Sequence, residues 1–151
     1  MKYLNEYLNE ELLDIDDNVN TDIDFIKEIK TFIKNKFKAV GVSISKNPDE
    51  DGKYIVNAMS VETKTSDLDK LTNDYFKWGT IVTDFHCDHS NITTLEGGPS
   101  AVGRIFNCSF CKNLKSLEGA PKYVDGKFYC MKTDFTEDDV RKVTKTKYVD
   151  V

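Results

Sequence analysis

The sequence predicts an α+β protein, in which a short β-solenoid has a helical cap at its N-terminal end and a helix and a strand as the cap at its C-terminal end. Three near copies of one segment predict the solenoid, since they begin at Phe85, Phe106 and Phe128, 21 and 22 residues apart. A period of this length is typical of one supersecondary unit stacked on copies of itself. Apolar residues at helical spacing before the copies and a capping-box pattern after them predict the caps.

The composition is that of a folded, soluble protein. Of the 151 residues, 39% are hydrophobic and 31% are charged, and a disordered chain would contain fewer apolar residues. The net charge is -5, so direct nucleic-acid binding is not expected, because it requires concentrated Lys and Arg. The sequence has no apolar run of about 18 residues and no secretory signal at its start, so we expect a cytoplasmic protein that does not bind membranes.

Residues 1–47 are predicted to form the helical N-terminal region and cap. A first helix is expected over residues 3–13, where leucines recur at helical spacing. A second helix is expected from Thr21 to about Lys38. Its apolar stripe consists of Ile26, Ile29, Ile33 and Phe37. This stripe is expected to pack against the start of the solenoid.

Charge is distributed unevenly within this cap. Residues 1–24 hold eight acids and one Lys, whereas residues 25–47 hold six Lys and one Glu. Solvated helix faces account for both runs, and this is the preferred interpretation. The acidic run leaves one alternative open, in which residues 1–24 act as an acidic mimic of a nucleic acid.

Residues 48–132 are predicted to form the solenoid. A strand over 42–44 precedes a strand over 54–59, which is expected to belong to a degenerate first coil. On this interpretation, the strand that begins at Tyr54 corresponds to the strand at Phe85. The long separation between them implies an insertion, as is common in terminal repeats.

Each repeat contains a Phe-x-Cys segment whose middle residue varies. Side chains of a strand alternate between its two faces, so the recurring Phe and Cys are predicted to point inward. The middle residues, His86, Asn107 and Tyr129, are then predicted to point outward.

A second set of repeated residues follows each strand. Leu95 and Leu117 are expected on the opposite wall of the core. Asn91 and Asn113 are expected to turn their amides inward and to satisfy peptide groups at the turn. One residue is inserted before Asn113, which predicts a bulge or a wider turn after Cys108.

Residues 133–151 are predicted to form the C-terminal cap. Thr136 and Asp139 have the spacing of a capping box at the start of a helix over 137–144. Residues 148–151 are expected to return as a closing strand. The apolar stripe of the helix consists of Val140 and Val143.

The order Leu-Glu-Gly-x-Pro, Val and Gly, Phe-x-Cys, and Asn-x-x-x-Leu resembles the short leucine-rich-repeat-like proteins of tailed bacteriophages. The resemblance covers about residues 52–145. It implies a curved, mostly parallel leucine-rich-repeat-like β-solenoid and a phage protein in the cytoplasm of a bacterial host. It implies no catalytic activity, because leucine-rich repeats typically serve as protein-binding surfaces.

Zinc binding is the main chemical alternative. Cys108 and Cys111 have the spacing of a ligand pair, and the potential further ligands are His86, Cys87, His89 and Cys130. Against this, Cys87, Cys108 and Cys130 share one repeat position and should form a line with the strand spacing of about 4.8 Å, which does not converge on one centre. We therefore expect no metal and no other cofactor, and the zinc-binding interaction module using Cys108 and Cys111 stays an alternative.

A Cys–His nucleophile is the enzymatic alternative. His86 and Cys87 are adjacent on a strand and should face opposite sides, so they do not form a catalytic pair. The sequence has no glycine-rich phosphate loop and no Gly-x-Ser-x-Gly elbow. We expect a protein that is not an enzyme.

The outward residues of the strands are the predicted functional surface. Repeat arrays use the face built from successive strands as an extended binding surface. We predict a non-enzymatic protein-binding module that inhibits or modulates a host protein, such as a defence protein. An open sheet edge also predicts self-association. The candidate interface residues are Asn57, Met59, His86, Asp88, Asn107, Ser109, Tyr129 and Met131.

Overall fold

The computed structural model describes residues 21–63 and 65–151. In this part of the chain the helices are α1 (Thr21–Phe37) and α2 (Glu137–Val143). The strands are β1 (Ser43–Ile44), β2 (Tyr54–Ala58), β3 (Val61–Glu62), β4 (Phe76–Ile81), β5 (Asp84–His86), β6 (Ala101–Val102), β7 (Ile105–Asn107), β8 (Tyr123–Tyr129) and β9 (Lys145–Asp150). The helix predicted over 3–13 lies outside the described residues.

The strands form a β-solenoid of about four turns, in which each coil contributes to two parallel ladders. The first ladder consists of β2, β4, β6 and the N-terminal parts of β8 and β9. The second consists of β3, β5, β7 and the C-terminal parts of β8 and β9. The short β1 pairs antiparallel with β2. The predicted α+β architecture, a solenoid with a helix at each end, is confirmed.

Glycine allows the chain to return from one coil to the next. Gly97 and Gly119 have φ values of 75° and 85°, in the left-handed region that side chains disfavour. A Cβ on Gly119 would also lie 2.3 Å from the carbonyl oxygen of Leu95. The proline that follows each turn is buried, so the turn brings the chain back into the core at the start of the next coil.

Phenylalanines at one position of three consecutive coils form the centre of the core. Phe85 pairs in register with Phe106, and Phe106 with Phe128. Their ring centroids are 5.6 Å and 4.9 Å apart. The buried thiols beside them are Cys87, Cys108 and Cys130. The prediction that the recurring Phe and Cys point inward is confirmed, as is the burial of Leu95 and Leu117.

The assignment of the first coil was wrong. Val61, and not Tyr54, pairs in register with Phe85, whereas Tyr54 pairs with Phe76 in the other ladder. The separations are 24 and 22 residues, so the first coil has no long insertion. Its Val61-Glu62-Thr63 segment takes the place of Phe-x-Cys, and the buried Thr63 fills the position of the thiol.

The helix α1 covers the N-terminal end of the solenoid, as predicted. Ile29, Ile33 and Phe37 are buried, and the ring of Phe37 packs edge-on against Trp78 with centroids 5.3 Å apart. Trp78 in turn contacts Phe85 at 5.5 Å. Aromatic contacts therefore connect the helix to the phenylalanine stack.

The C-terminal cap is confirmed with one correction. Thr136 and Asp139 form the predicted capping box, and β9 closes the solenoid against β8. Val140 is buried, but Val143 is 42% exposed. Val143 is the last residue of α2, and its side chain therefore lies outside the core that Val140 enters.

The asparagines at the turns do not point inward. Asn91 and Asn113 are exposed. The Asn91 amide still donates to a peptide group, the Ser66 carbonyl, as predicted, whereas the Asn113 amide donates to the side-chain oxygen of Asn91 at 3.4 Å. Small side chains three residues after each core thiol take the inward place: the hydroxyl of Ser90 donates to the Cys87 carbonyl at 2.6 Å, and that of Thr133 to the Cys130 carbonyl at 2.7 Å. The residues at this place, Ser90, Cys111 and Thr133, each follow a residue with positive φ, namely His89, Phe110 and Lys132.

The phenylalanine stack generates a prediction for stability. Truncating Phe106 to Ala should lower the free energy of unfolding by about 3–5 kcal/mol, because it opens a cavity between two other rings. Chemical denaturation measures this loss. The neighbouring Asn107→Ala, on the outward face of the same strand, is the control and should cost only about 1–2 kcal/mol, because it removes the hydrogen bond that Asn107 accepts from the Ser109 N–H and opens no cavity in the stack. Equal losses for the two variants would contradict the stack.

Candidate functional site

The outward row of the second ladder is one part of the candidate surface. His86, Asn107 and Tyr129 are neighbours in register on β5, β7 and β8, and each is half-buried. The amide nitrogen of Asn107 lies 3.4 Å from Nδ1 of His86. The structure therefore places these three predicted residues side by side, and their role in binding stays a prediction.

Asp88 and Ser109 are not on this exposed face, contrary to the prediction. They are only 6% and 1% exposed. The strands β5 and β7 end before the core thiols, and the chain then turns inward, so the alternation of the strand does not continue to these residues. The Ser109 hydroxyl accepts a hydrogen bond from the Met131 N–H at 3.0 Å, and Met131 is itself half-buried.

Asn57 and Met59 do not extend the row either. Asn57 belongs to β2 in the first ladder, where its side-chain oxygen accepts a hydrogen bond from the Thr80 N–H at 2.7 Å. Met59 is exposed just after β2. The first-coil residue in the row of His86 is Glu62. Asn57 and Met59 were predicted in this row because the first coil was assigned incorrectly, with β2 in the place of β3.

Tyrosine and lysine side chains border the row at the C-terminal end. The ammonium group of Lys127 lies over the rings of Tyr129 and Tyr148, 5.7 Å and 6.0 Å from their centroids. Lys127 precedes the core Phe128, in register with Ile105 and Tyr148. The sequence analysis considered only residues that follow each Phe, although the residue before it has the same outward phase.

A groove on the outer side of the first ladder is the second part of the candidate surface. It has a volume of about 580 Å³ and runs across β4, β6, β8 and β9. The small residues Ala101 and Gly103 form its centre, while Val82 and Tyr123 are 58% and 55% exposed at its walls. Gly103 has no room for a side chain, because a Cβ would lie 1.9 Å from the Val82 carbonyl oxygen. The sequence analysis missed this groove.

Lysine side chains lie at the C-terminal end of the groove. The ammonium group of Lys145 is 5.7 Å from the centroid of the Tyr123 ring. Lys147 forms an ion pair with Asp125 at 2.9 Å. Lys145 lines the groove and forms no ion pair within the described part of the chain. Its ammonium group can therefore receive an anionic group of a ligand.

An ion pair joins two coils beside the second ladder. The Arg104 guanidinium donates hydrogen bonds to both carboxylate oxygens of Asp84, one of them at 2.8 Å from Nε. This hydrogen bonding holds the pKa of Asp84 below its ordinary value, with burial opposing the shift. Arg104 is largely exposed, so this ion pair contributes little to stability. It links two coils at the bend between the two ladders.

Both histidines of the chain lie at the Asp88 carboxylate. Nδ1 of His89 is 2.9 Å from one oxygen, and Nδ1 of His86 is 3.6 Å from the other. That second oxygen is buried without a hydrogen-bond partner. His89 also stacks on Phe110 with centroids 4.7 Å apart. These contacts fix the corner at which the outward row ends.

The cysteines occupy core positions. The Sγ atoms of Cys108 and Cys130 are 3.6 Å apart, whereas Sγ of Cys111 lies 3.3 Å from the Cys87 carbonyl oxygen. Burial raises the pKa of the Cys87 thiol well above its ordinary value. Cys111 takes the inward turn position of Ser90 and Thr133, which explains its spacing from Cys108. Within residues 21–63 and 65–151, no three His, Cys, Asp or Glu side chains are arranged to hold a metal ion.

Comparisons of the chain with protein-family models, with curated proteins and with solved structures find no match. Neither α1 nor α2 has the length and apolar character needed to cross a membrane.

The Asp84–Arg104 pair generates a prediction about pH. Because the pKa of Asp84 is lowered in the folded protein, its stabilisation is present above the ordinary pKa of the carboxyl and is lost as the pH falls through the folded value. Asp84→Asn should therefore lower the unfolding free energy at neutral pH by about 1 kcal/mol or less, since Arg104 is exposed. The difference from the unmodified protein should vanish in acid.

Denaturation curves of both proteins across acid and neutral pH measure this difference. Arg104→Gln is the matched control, because it removes the same pair from the other side and should give the same pH dependence. A difference that persists unchanged in acid would contradict the assignment of the effect to the Asp84 carboxylate.

Proposed function

We propose that the protein is a non-enzymatic protein-binding module whose binding surface combines the groove with the outward row of the second ladder. The observation that supports this most is the groove itself, an apolar depression walled by exposed Val82 and Tyr123 on a scaffold of registered strands. Concave, mostly apolar sites with a few polar groups are where proteins receive ligands. Exposed tyrosines are enriched at interfaces because they combine apolar area with a polar group.

The groove favours a partner of particular chemistry. The walls and floor suit an apolar or aromatic side chain of the partner, while Lys145 beside Tyr123 suits a carboxylate next to it. The adjoining row adds His86, Asn107 and Tyr129 as groups that form hydrogen bonds. We therefore propose an extended, partly acidic protein segment as the ligand, bound across the strands.

The biological setting of the proposal comes from the sequence resemblance. A leucine-rich-repeat-like solenoid of the tailed-phage type would act in the cytoplasm of a bacterial host, with a host protein as its partner and inhibition or modulation as its effect. The repeated core of Phe, Cys and Leu in parallel coils supports this kind of repeat. No observation of the described residues favours the zinc-binding alternative, and the acidic-mimic alternative falls largely on residues 1–20, outside them.

Affinity capture from bacterial lysate with matched variants tests the proposal. Ala101→Tyr fills the centre of the groove and leaves the inward residues intact, so it should abolish capture of the partner. Tyr129→Ala should weaken capture by about tenfold or more, as expected for an aromatic residue at an interface. Asn113→Tyr adds the same side chain at an exposed turn and serves as the control, which should capture the partner as the unmodified protein does.

The readout is the same partner in the unmodified and control samples, identified by mass spectrometry and confirmed with the purified pair. Thermal unfolding of each variant shows whether the fold is retained. A partner that binds Ala101→Tyr and Tyr129→Ala as tightly as the unmodified protein would contradict this surface, and so would specific turnover of a substrate by the protein.

A further inference from the structure

The last strand of the solenoid has a neighbour on one side only. Among the described strands, β9 pairs with β8 alone. At its two ends, the Lys145 N–H donates to the Lys122 carbonyl at 3.0 Å, and the Asp150 carbonyl accepts from the Cys130 N–H at 2.8 Å. Adjacent residues of a strand direct their backbone groups to opposite edges. The groups of Thr146 and Val149 are therefore expected at the open edge.

Apolar surface accompanies this open edge. The N-terminal end of the core is covered by α1, whereas no described strand lies on the other side of β9. Phe135 and Val149 are half-buried against the core, and Val143 and Val151 are exposed. At this edge the Thr146 carbonyl accepts a hydrogen bond from the exposed Arg141 side chain at 3.3 Å, and a strand that pairs there replaces this bond. The C-terminal end thus combines a strand edge that no described strand covers with incompletely covered side chains, which is the combination that promotes strand pairing between chains.

The sequence of β9 is complementary to itself when two copies run antiparallel. The order Lys145-Thr146-Lys147-Tyr148-Val149-Asp150 places each Lys145 opposite Asp150 of the second copy. Thr146 then lies opposite Val149 of the second copy, and both are half-buried residues of the core side. Lys147 lies opposite Tyr148 of the second copy, and both are exposed. Each residue of β9 therefore lies opposite a residue of the second copy whose side chain is on the same face of the sheet.

Other arrangements of the edge are less favourable. A parallel, in-register pairing would place Lys145 against Lys145 and Lys147 against Lys147, and like charges directly opposite each other are destabilising. Stacking of β9 on the other end of a second copy would meet α1 and the two-residue antiparallel β1. The antiparallel pairing closes on itself by a two-fold axis, so both β9 edges are paired and neither is left for a third copy.

We propose that the protein forms a two-fold symmetric homodimer through antiparallel pairing of β9 with β9 of a second copy, in the register that opposes Lys145 and Asp150. The two sheets then become one continuous sheet. Lys145 and Lys147 also line the groove, so the dimer brings the two grooves together at the axis. The dimer does not depend on the proposed partner and is measured in its absence.

Charge exchange between the two positions tests the register. Lys145→Glu places a glutamate opposite Asp150 at two symmetric positions, and Asp150→Lys places a lysine opposite Lys145. Each should therefore weaken dimerisation by at least about tenfold. The double variant restores an opposite pair and should recover most of the affinity. Lys112→Glu reverses a charge at an exposed turn and should leave the affinity unchanged. Sedimentation velocity over a concentration series measures the dissociation constant of each protein.

An unmodified protein that stays monomeric up to ~1 mM would overturn the proposal. A dimer whose affinity is the same in all four variants would overturn it as well, because the contact would then lie elsewhere. Amide exchange provides a measurement without substitutions: the amides of Thr146 and Val149 should exchange more slowly as the protein concentration rises. Exchange that is independent of concentration, in a range where the protein sediments as a dimer, would exclude β9 from the interface.

Discussion

The registered stacking of Phe85, Phe106 and Phe128 is the interaction on which the rest of the structure depends. Each ring packs on the ring of the next coil, so burying them fixes the alignment of β5, β7 and β8. A slip by one residue would expose the rings and bury the polar residues between them. The same register places Ile81, Val102 and Val124 in one inward row four residues earlier. Both candidate surfaces are therefore consequences of one alignment.

The two ends of the solenoid are covered by different structures. Stacked coils leave apolar surface at each end, and terminal caps are needed to cover it. At the N-terminal end, Phe37 and Trp78 extend the aromatic core into α1. At the C-terminal end, α2 buries Val140, and β9 pairs with no described strand other than β8. This asymmetry is the reason that the proposed dimer is placed at the C-terminal end.

The sequence was sufficient to predict the coils in which the repeated residues recur. Phe and Cys at a fixed phase predicted the core, and Thr136 with Asp139 predicted the cap. The first coil was assigned incorrectly because Val61-Glu62-Thr63 keeps the apolar, polar and small order of the repeat without its residue types. Asp88 and Ser109 were placed outward because strand alternation was extended past the point where the strands end. The groove was missed since it depends on small residues, Ala101 and Gly103, whose neighbours across the ladder only the register defines.

Residue-resolved amide hydrogen exchange tests the central claim most directly. Strand β7 has β5 on one side and β8 on the other, and its Phe106 lies in the middle of the stack. The amides of β7 should therefore exchange only through global unfolding, with the free energy that denaturation gives. If the β7 amides instead exchange as fast as those of the exposed loop over 46–52, the phenylalanine stack does not hold the solenoid together.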